Sequence, residues 1–424
     1  MERNITTEKR ILVLSNACFS DSDSNGRTLA KLFQGFNKVN LAQLFVYGNP
    51  DFTVCDRYYK VTDRDALQSL LEWKETGGVV ESLTMLSSEA VLTTNTSAKR
   101  VRKTPLSMLL REFAWLVGRW NGSGLKQWID SFNPEAVFVS LGDNIFLSRL
   151  AIQVAKKYNI PVYAYSTEDY CFKNYNYLTK RPSLFYKIFN LWMNRAFKKL
   201  EKYVKLGIFN TPMLADAYSK KFKYPCTCVF SPSDIDFEKN TEVSQTPTVS
   251  YLGNLGVGRH KALVELAKIL GEVMPGVKLD VYGKLPASVE AANLITACDD
   301  ICYKGFVSYS DVVRHIREST LLVHAELDDK FYSKDLKYAF STKIADSVCS
   351  GTPFLIYARR DLAETDFLIS NQCAFVADSK ELLRQELIKA LTDKEAREFV
   401  VKNAKNTRNS FFANINGLKD LIGK

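Results

Sequence analysis

The feature that most restricts the fold of this 424-residue chain is an alternation of short apolar runs with longer helical patterns, which occurs in two series. The runs are rich in β-branched and aromatic residues, as strands are, and the segments between them repeat their apolar residues at helical spacing. Strands that alternate with helices form parallel sheets covered by helices. The sequence therefore predicts an α/β protein with two doubly wound parallel sheets.

The predicted strands fall into the two halves of the chain. Those of the first half are RILVLSN (10–16), LAQLFVYG (41–48), AVFVSLGD (136–143), VYAYSTED (162–169) and KLGIFNTP (205–212). Those of the second half are TVSYLGNL (248–255), KLDVYGK (278–284), YKGFV (303–307), TLLVHAE (320–326), PFLIYA (353–358) and CAFVAD (373–378). A proline-containing segment without periodicity separates the series. We predict a first domain at 1–225, a linker at 226–247, a second domain at 248–400, and a C-terminal helix within 401–424 that returns to the first domain.

Composition limits the class of protein. Apolar residues make up 46% and charged residues 25% of the chain, which is typical of a soluble globular protein. No apolar run approaches the about 18 residues of a membrane-spanning helix, and the first apolar run is too short for a signal peptide, so we expect a cytoplasmic protein. The nine scattered cysteines predict reduced, mostly buried thiols. Three histidines leave little room for a histidine metal site, and we predict neither a metal nor a cofactor.

The net charge of +10 suits nucleic acid, an anionic membrane or a phosphorylated ligand. We rank nucleic acid last and predict no nucleic-acid partner, because the basic residues are dispersed over both domains and no recognition motif is present. Two segments, 105–120 and 181–205, interleave aromatic and basic residues. The first places five residues on one predicted helical face: Leu106, Leu109, Phe113, Leu116 and Trp120. These segments are either ordinary core-facing helices or surfaces that touch an anionic membrane.

The segment YLGNLGVGRHK (251–261) places glycines between a predicted strand and a predicted helix. Glycines there let backbone N–H groups approach a ligand, and the helix N-terminus adds partial positive charge. Arg259 can fork onto phosphate oxygens and Lys261 can add a point charge. The segment predicts a diphosphate site, with a basic surface turn as the alternative.

A second predicted helix start lies in FSTKIADSVCSG (340–351). Ile344 and Val348 would point to the core, so Thr342 and Asp346 lie on the opposite side. The polar residues of this segment that we assign to the site are Ser341, Thr342, Lys343 and Asp346. A hydroxyl and a cation in the first turn can hold phosphate, and a carboxylate one turn later can accept hydrogen bonds from a sugar diol. The alternative for Asp346 is a solvated helix position.

In the first half, the loop ACFSDSDSNGRT follows the first strand, and Gly26 is predicted to turn the chain. Such a polar loop would close a cleft against the second domain, or would be only a mobile surface loop. Asp143 and the pair Glu168–Asp169 follow predicted strands, where ligand-contacting residues of parallel sheets belong. A carboxylate there could orient or deprotonate an acceptor hydroxyl, or could merely cap a helix.

Five segments together resemble the GT-B glycosyltransferases, in particular the retaining group 4-like enzymes that build bacterial surface polysaccharides. They are SNGRTLAKLF (24–33), YLGNLGVGRHKALVELAKIL (251–270), VYGK (281–284), KGFVSYSDVVRHI (304–316) and STKIADSVCSGTPFLIYA (341–358). The resemblance implies a nucleotide-sugar donor held by the C-terminal domain and a glycan or lipid-linked acceptor held by the N-terminal domain. Donor contacts would include Gly26, Gly253, Asn254, Gly256, Gly283, Phe306, Val307 and the four polar residues at 341–346.

Within this resemblance, Phe306 and Val307 would meet the nucleobase through backbone groups, and Asp346 would take the ribose hydroxyls. The sequence departs from the family at three positions. Asp346 stands where the family usually has glutamate, Tyr338 where it commonly has a second glutamate, and Asn254 where it has arginine. The carboxylates that could replace the one missing at 338 are Glu326, Asp328 and Asp335, and the sequence does not choose among them.

The resemblance predicts a sugar transferase that retains anomeric configuration, and the two aromatic and basic segments predict that it acts at the inner face of the cytoplasmic membrane. Arg259, Lys261 and the amides at 341–343 would stabilise the departing phosphate without a metal ion. Two alternatives use the same fold: a nucleotide-sugar 2-epimerase, and a non-catalytic protein that binds a sugar nucleotide for a partner enzyme.

Overall fold

The computed structural model describes residues 8–21, 24–82, 103–236, 244–326 and 333–423. The chain divides into two compact units, one of Met1–Val229 with Ile415–Lys424 and one of Phe230–Asn414. The first division, after Val229, falls inside the predicted linker. The second falls at Ile415, so the residues from 401 to 414 belong to the second unit rather than to the returning segment.

The first unit is built on an eight-stranded sheet of order β4-β3-β2-β1-β5-β6-β7-β8. Its strands are β1 (Ile11–Leu14), β2 (Leu41–Phe45), β3 (Arg57–Lys60), β4 (Gly78–Val80), β5 (Ala136–Ser140), β6 (Val162–Ser166), β7 (Val204–Phe209) and β8 (Cys226–Cys228). Every neighbouring pair is parallel except β3 with β4. Every residue of β1 is fully buried, which explains why the central strands read as continuous apolar runs rather than as alternating patterns.

The second unit contains a six-stranded, wholly parallel sheet of order β11-β10-β9-β12-β13-β14. Its strands are β9 (Val249–Leu252), β10 (Leu279–Tyr282), β11 (Ile301–Gly305), β12 (Leu321–Ala325), β13 (Phe354–Tyr357) and β14 (Phe375–Ala377). In each sheet, successive strands are added first on one side of the initial strand and then on the other. This reversal lies between β1 and β5 in the first sheet and between β9 and β12 in the second. At such a reversal the following loops diverge and leave a crevice at the carboxyl ends of the strands.

Helices connect the strands of each sheet. In the first unit they are α1 (Ser24–Phe33), α2 (Asp63–Leu71), α3 (Pro105–Val117), α4 (Ser123–Phe132), α5 (Ile145–Tyr158), α6 (Leu184–Leu200), α7 (Pro212–Lys221) and, near the C-terminus, α16 (Gly417–Ile422). In the second unit they are α8 (Arg259–Val273), α9 (Val289–Thr296), α10 (Tyr309–Glu318), α11 (Ser333–Leu336), α12 (Thr342–Cys349), α13 (Ala363–Ser370), α14 (Lys380–Thr392) and α15 (Lys394–Thr407). The fold expectation of two doubly wound α/β sheets is confirmed.

All eleven predicted strands are present, and the described residues form three further strands, β3, β4 and β8, that were not predicted. Strand β8 lies in the predicted linker and pairs with β7. The nine cysteines are free thiols and five of them are buried, as predicted. Among the helices that the structure describes, none has the length and apolar character that crossing a membrane requires.

Candidate functional site

The site in the second unit lies at the reversal of its sheet, where the loop after β9 and the residue after β12 diverge. Gly253 follows β9, and a β-carbon there would lie 3.0 Å from Lys343 Cε of α12 and 2.8 Å from Tyr251 Oη. The absence of a side chain at 253 therefore lets Lys343 lie against the end of β9. This contact brings together the two segments, 251–261 and 340–351, that the sequence analysis assigned to one ligand.

The glycine turn is held by its own backbone and one side chain. Asn254 Oδ1 accepts the Gly256 N–H at 2.8 Å, and Gly258 ends the turn at φ +85° immediately before α8. Asn254, at the position where the resemblance predicts arginine, thus shapes the turn. Its side chain is uncharged, so any cation of the site lies elsewhere.

Gly283 follows β10 and packs directly against the turn. Its φ is +156°, and a β-carbon there would lie 1.9 Å from the Gly253 carbonyl oxygen. The Gly253 N–H donates to Tyr282 O, and the Gly283 N–H donates to Gly305 O, both at 2.8 Å. These contacts hold the ends of β9, β10 and β11 in one layer beneath the site.

Arg259, the first residue of α8, points into the reversal and forms a buried ion pair with Glu326, the residue after β12. Arg259 Nε donates to Glu326 Oε1 at 2.6 Å, and Nη2 donates to the same oxygen. Glu326 is 3% exposed. Burial would lower the pKa of Arg259, but the Glu326 carboxylate raises it, so the guanidinium stays charged.

Lys343 is the second cation of the site. Burial lowers its pKa, and the positive charge of Arg259 lowers it further, because the two cations lie close together. The carboxylates of Asp346, Glu326 and Glu364 also lie near Lys343 and partly oppose this lowering, so the two cations belong to a network of both charges. Two cations at the first turns of two helices can still bind an anion with several negative oxygens.

Lys261 lies away from this centre. Residues two apart in a helix point about 200° apart, so Lys261 faces away from Arg259. It is exposed and lines a groove between α8 and α14 with Glu265, Lys268 and Arg384. The geometry thus pairs Arg259 with Lys343, and the clamp role that the sequence assigned to Lys261 stays a prediction without a contact to support it.

The start of α12 has the predicted faces. Ile344 and Val348 are buried, whereas Thr342 is exposed and Asp346 is half-buried. Ser341 precedes the helix but makes no side-chain cap, and its N–H instead donates to Glu364 Oε2 at 3.3 Å. Ser233 Oγ donates to Asp346 Oδ1 at 2.7 Å, so a diol bound by Asp346 would share its carboxylate with Ser233.

The residues predicted to meet the nucleobase lie beyond β11. Phe306 is 67% exposed, and Lys284 Nζ lies over its ring, 4.6 Å from the ring centroid. Val307 is half-buried. An exposed aromatic ring beside a cation can pair with a flat, electron-rich base. Of the three carboxylates proposed to replace the one missing at 338, Glu326 is in the site, Asp335 lies in α11, and Asp328 is outside the described residues.

One trio of described side chains, His324, Glu326 and Glu364, has ligand atoms within 4.8 Å of one another, as a metal ion would require. However, Glu326 Oε1 already accepts two hydrogen bonds from Arg259. The trio is thus part of the ion-pair network of the site, although Glu326 Oε2 and Glu364 Oε1 have no hydrogen-bond partner among the described residues.

The first unit gathers a second set of carboxylates at the ends of β5 and β6. Asp143 pairs with Lys103 and accepts the Tyr177 hydroxyl, and although burial raises its pKa, Lys103 brings the pKa below its usual value. Burial raises the pKa of Glu168, and Lys173 only partly opposes this. Glu168 is also the more exposed of the two, which makes it the better acceptor of a proton from a ligand.

Two positions in the first unit differ from the sequence analysis. Gly26, predicted to turn the chain, lies inside the first turn of α1, because the helix already begins at Ser24. Glu112 was not predicted: it is fully buried in α3, 3.3 Å from Arg111, and burial raises its pKa to about 7. Its sequence signal is a carboxylate on the same helical face as Met108 and Trp115, both buried.

No protein-family model and no curated protein matches this sequence. Solved structures match its fold over nearly the whole chain. Sucrose-phosphate synthase from Thermosynechococcus elongatus is 10% identical over 97% of both chains, with a TM-score of 0.59. HepE of Anabaena in complex with UDP is 10% identical over 97% of this chain and 98% of its own, with a TM-score of 0.61. WaaG, a glycosyltransferase involved in lipopolysaccharide biosynthesis, is 12% identical over 97% and 99%, with a TM-score of 0.57. The chain has the GT-B fold.

Proposed function

We propose that this GT-B protein is a glycosyltransferase that moves a sugar from a nucleoside-diphosphate donor to a glycan or lipid-linked acceptor in cell-surface polysaccharide synthesis. The observation that carries the proposal is the pair of adjacent cations, Arg259 and Lys343, at the sheet reversal of the second unit. A diphosphate is the part of such a donor that two cations and two helix starts would bind. HepE, a protein of the same fold, binds UDP and UDP-glucose, so UDP-sugars are the first donors to test.

The chemistry follows from where charge develops. When the bond from the sugar to the β-phosphate breaks, negative charge grows on the departing phosphate, and fixed cations there lower the barrier. Arg259 and Lys343 would supply this stabilisation without a divalent metal. In line with the resemblance to retaining enzymes, we expect the product to keep the anomeric configuration of the donor, which NMR of the product can show.

The acceptor would be held by the first unit. Glu168 is the carboxylate that we assign to the acceptor hydroxyl, because its pKa is raised and its side chain is half-exposed. Asp143 is already occupied by Lys103 and Tyr177, so we assign it to the support of this region.

A membrane surface is the proposed location of the acceptor. Helices α3 and α6 pack together, and each buries one face while it exposes a second apolar face. The exposed residues form the helix-pair patch: Leu106, Leu110, Phe113, Leu116, Val117, Leu184, Phe185, Ile188 and Leu191. Trp120, predicted on the same face, is buried instead. Helix α6 contains no acidic residue and exposes Lys187 and Arg195, which suits an anionic surface at the inner face of the cytoplasmic membrane.

The experiment that tests the function combines thermal shift with release of nucleoside diphosphate from UDP-, GDP-, ADP- and dTDP-sugars. We expect one donor to stabilise the wild type and to be slowly hydrolysed. Arg259→Ala and Lys343→Ala should each weaken donor binding about tenfold or more, as loss of a charged hydrogen-bond partner does, whereas the matched control Lys261→Ala should not.

Other outcomes have equally definite meanings. Stabilisation without release, even with an acceptor screen, would favour the non-catalytic sugar-nucleotide binder that Tyr338 in place of a carboxylate suggests. If no nucleotide binds, or if Lys261→Ala alone abolishes binding, the proposed donor site is wrong.

A further inference from the structure

Glu326 and His324, neither of which received a role in the chemistry above, link the two halves of the candidate donor site. His324 Nε2 lies 3.2 Å from Glu326 Oε1 and 3.4 Å from Glu364 Oε1. Glu326 holds Arg259 at the start of α8, and Glu364 accepts the N–H of Ser341 at the start of α12. A chain of contacts, Arg259–Glu326–His324–Glu364–Ser341, whose three central residues are buried, therefore joins the first residue of α8 to the residue that precedes α12.

The ion pair leaves part of the Arg259 guanidinium available. A guanidinium has five N–H donors in a fixed plane, and Glu326 takes one from Nε and one from Nη2. The remaining donors are the two N–H groups of Nη1 and the second N–H of Nη2. Two of these point in parallel along an edge that Glu326 does not occupy, where they can bind a phosphate. Glu326 and a phosphate can therefore bind Arg259 at the same time, on different edges, and need not compete.

Holding the side chain in advance has a thermodynamic effect. A mobile arginine loses rotamer freedom when it orders on a ligand, and that loss weakens binding. Arg259 is already fixed by a carboxylate that is itself buried and held by His324. The ordering is thus complete before any ligand arrives.

We infer that Glu326 is a positioning residue of the donor site, which acts through Arg259 by fixing the guanidinium edge that meets the diphosphate. The inference rests on the proposed function, since it assigns Glu326 a part in the same site.

Simple electrostatics would predict the opposite sign for removal of Glu326, because a carboxylate near a phosphate repels it. Burial lowers the pKa of His324, and the carboxylates of Glu364 and Glu326 raise it above its usual value. Removal of the Glu326 charge therefore lowers the pKa of His324 and favours loss of its proton, which offsets part of the lost negative charge. The sign of the measured change in affinity thus distinguishes positioning from repulsion.

The test is a double-mutant cycle on the binding of UDP, or of whichever of UDP, GDP, ADP and dTDP binds the wild type. Glu326→Gln in the wild-type background should weaken binding about tenfold, a coupling of the size found between contacting residues. In the Arg259→Ala background the same substitution should change the affinity less than about twofold, because the residue it acts through is absent. Glu326→Asp, which keeps the charge, should recover part of the loss.

The outcomes separate this inference from the proposed function. Tighter binding by Glu326→Gln, or an equal loss in both backgrounds, would overturn the positioning role while leaving the donor site intact. If Glu326→Gln does not fold, Glu326→Asp takes its place in the cycle, and unchanged or tighter binding by that variant overturns the inference. If the wild type binds none of the nucleotides, the donor site is wrong and the inference falls with it.

Discussion

Glu112 shows how a single buried residue makes stability depend on pH. Its carboxyl group lies inside the first unit, and burial raises its pKa to about 7, against about 4.3 in an unfolded chain. Between these two values the folded state holds a proton that the unfolded state has lost. Stability must therefore fall as pH rises through this window, the reverse of the usual behaviour of a salt-bridged carboxylate.

We predict that Glu112→Gln removes this dependence. The wild type should lose about 3 kcal/mol of stability relative to the variant between pH 4.5 and pH 7, from the size of the pKa shift. All five tryptophans belong to the first unit, so their fluorescence reports its unfolding in urea. The exposed Glu381→Gln in the second unit is the control. Parallel pH curves for the wild type and Glu112→Gln would contradict the prediction.

Gly283 and Gly276 provide a matched pair of glycines with positive φ in the second unit. A β-carbon at 283 would meet the Gly253 carbonyl at 1.9 Å, whereas a β-carbon at 276 would meet no atom within 4 Å among the described residues. We expect Gly276→Ala to cost about 1 kcal/mol, for backbone conformation alone. Gly283→Ala should cost about 3 kcal/mol or more, because the backbone must also move.

Thermal melting followed by circular dichroism measures the difference between the two glycine variants. Nucleoside-diphosphate binding at a temperature where both are folded adds a second comparison, since Gly283 supports the turn beside Arg259. Equal stability losses for the two variants would show that the contact between Gly283 and Gly253 is not a constraint.

At the residue scale, rules for a single helix predicted which residues of α12 are buried. The spacing of Ile344 and Val348 correctly placed Asp346 on the opposite face. The same arithmetic, applied to α8, would have separated Lys261 from Arg259. The sequence could not identify Glu326 as the carboxylate of the site, because its proximity to Arg259 depends on β12 lying next to β9. The spacing of apolar residues along the chain does not determine the order of strands in a sheet.

At the scale of elements, long buried strands were predictable and short edge strands were not. Strands β4 and β8 have three residues each and lie at the two edges of the first sheet, so they show no periodicity. Helices α3 and α6 were predicted from aromatic and basic residues, but the same pattern fits a core face or an exposed face. In the structure, each of these two helices has one buried face and one exposed apolar face.

The charge on α6 leads to a prediction about membrane binding. Each basic residue near an anionic surface contributes about 1 kcal/mol, so Lys187→Ala with Arg195→Ala should reduce binding to phosphatidylglycerol-containing vesicles about 30-fold at low salt. Binding should also weaken as salt screens the surface. Co-sedimentation measures both effects, with Lys278→Ala and Lys389→Ala, exposed in the second unit, as the control pair.

Two results would contradict this prediction. Equal binding to uncharged phosphatidylcholine vesicles would show that charge is not involved. A loss in the control pair as large as in the α6 pair would show that the attraction is a property of the net charge and not of the helix-pair patch.

At the scale of the whole molecule, the chain leaves the first unit after Val229 and re-enters it at Ile415. Helix α16 then contributes Leu418 and Ile422 to the buried core of that unit. Lys419 Nζ donates to Gly35 O and pairs with Glu8, both at 2.7 Å, and Lys9 N–H donates to Gly423 O at 3.0 Å. The C-terminal segment is therefore a structural part of the unit that we assign to the acceptor.

This connectivity predicts that the two units respond differently to one substitution. Ile422 is fully buried and its neighbour Leu421 is 43% exposed, so Ile422→Ala should cost the first unit about 3 kcal/mol and Leu421→Ala much less. Tryptophan fluorescence during urea unfolding measures that loss. Nucleoside-diphosphate affinity should be unchanged in both variants under native conditions, because Arg259 and Lys343 belong to the other unit. A loss of affinity in Ile422→Ala would show instead that donor binding requires the core of the first unit. The assignment of donor binding to the second unit alone would then be wrong.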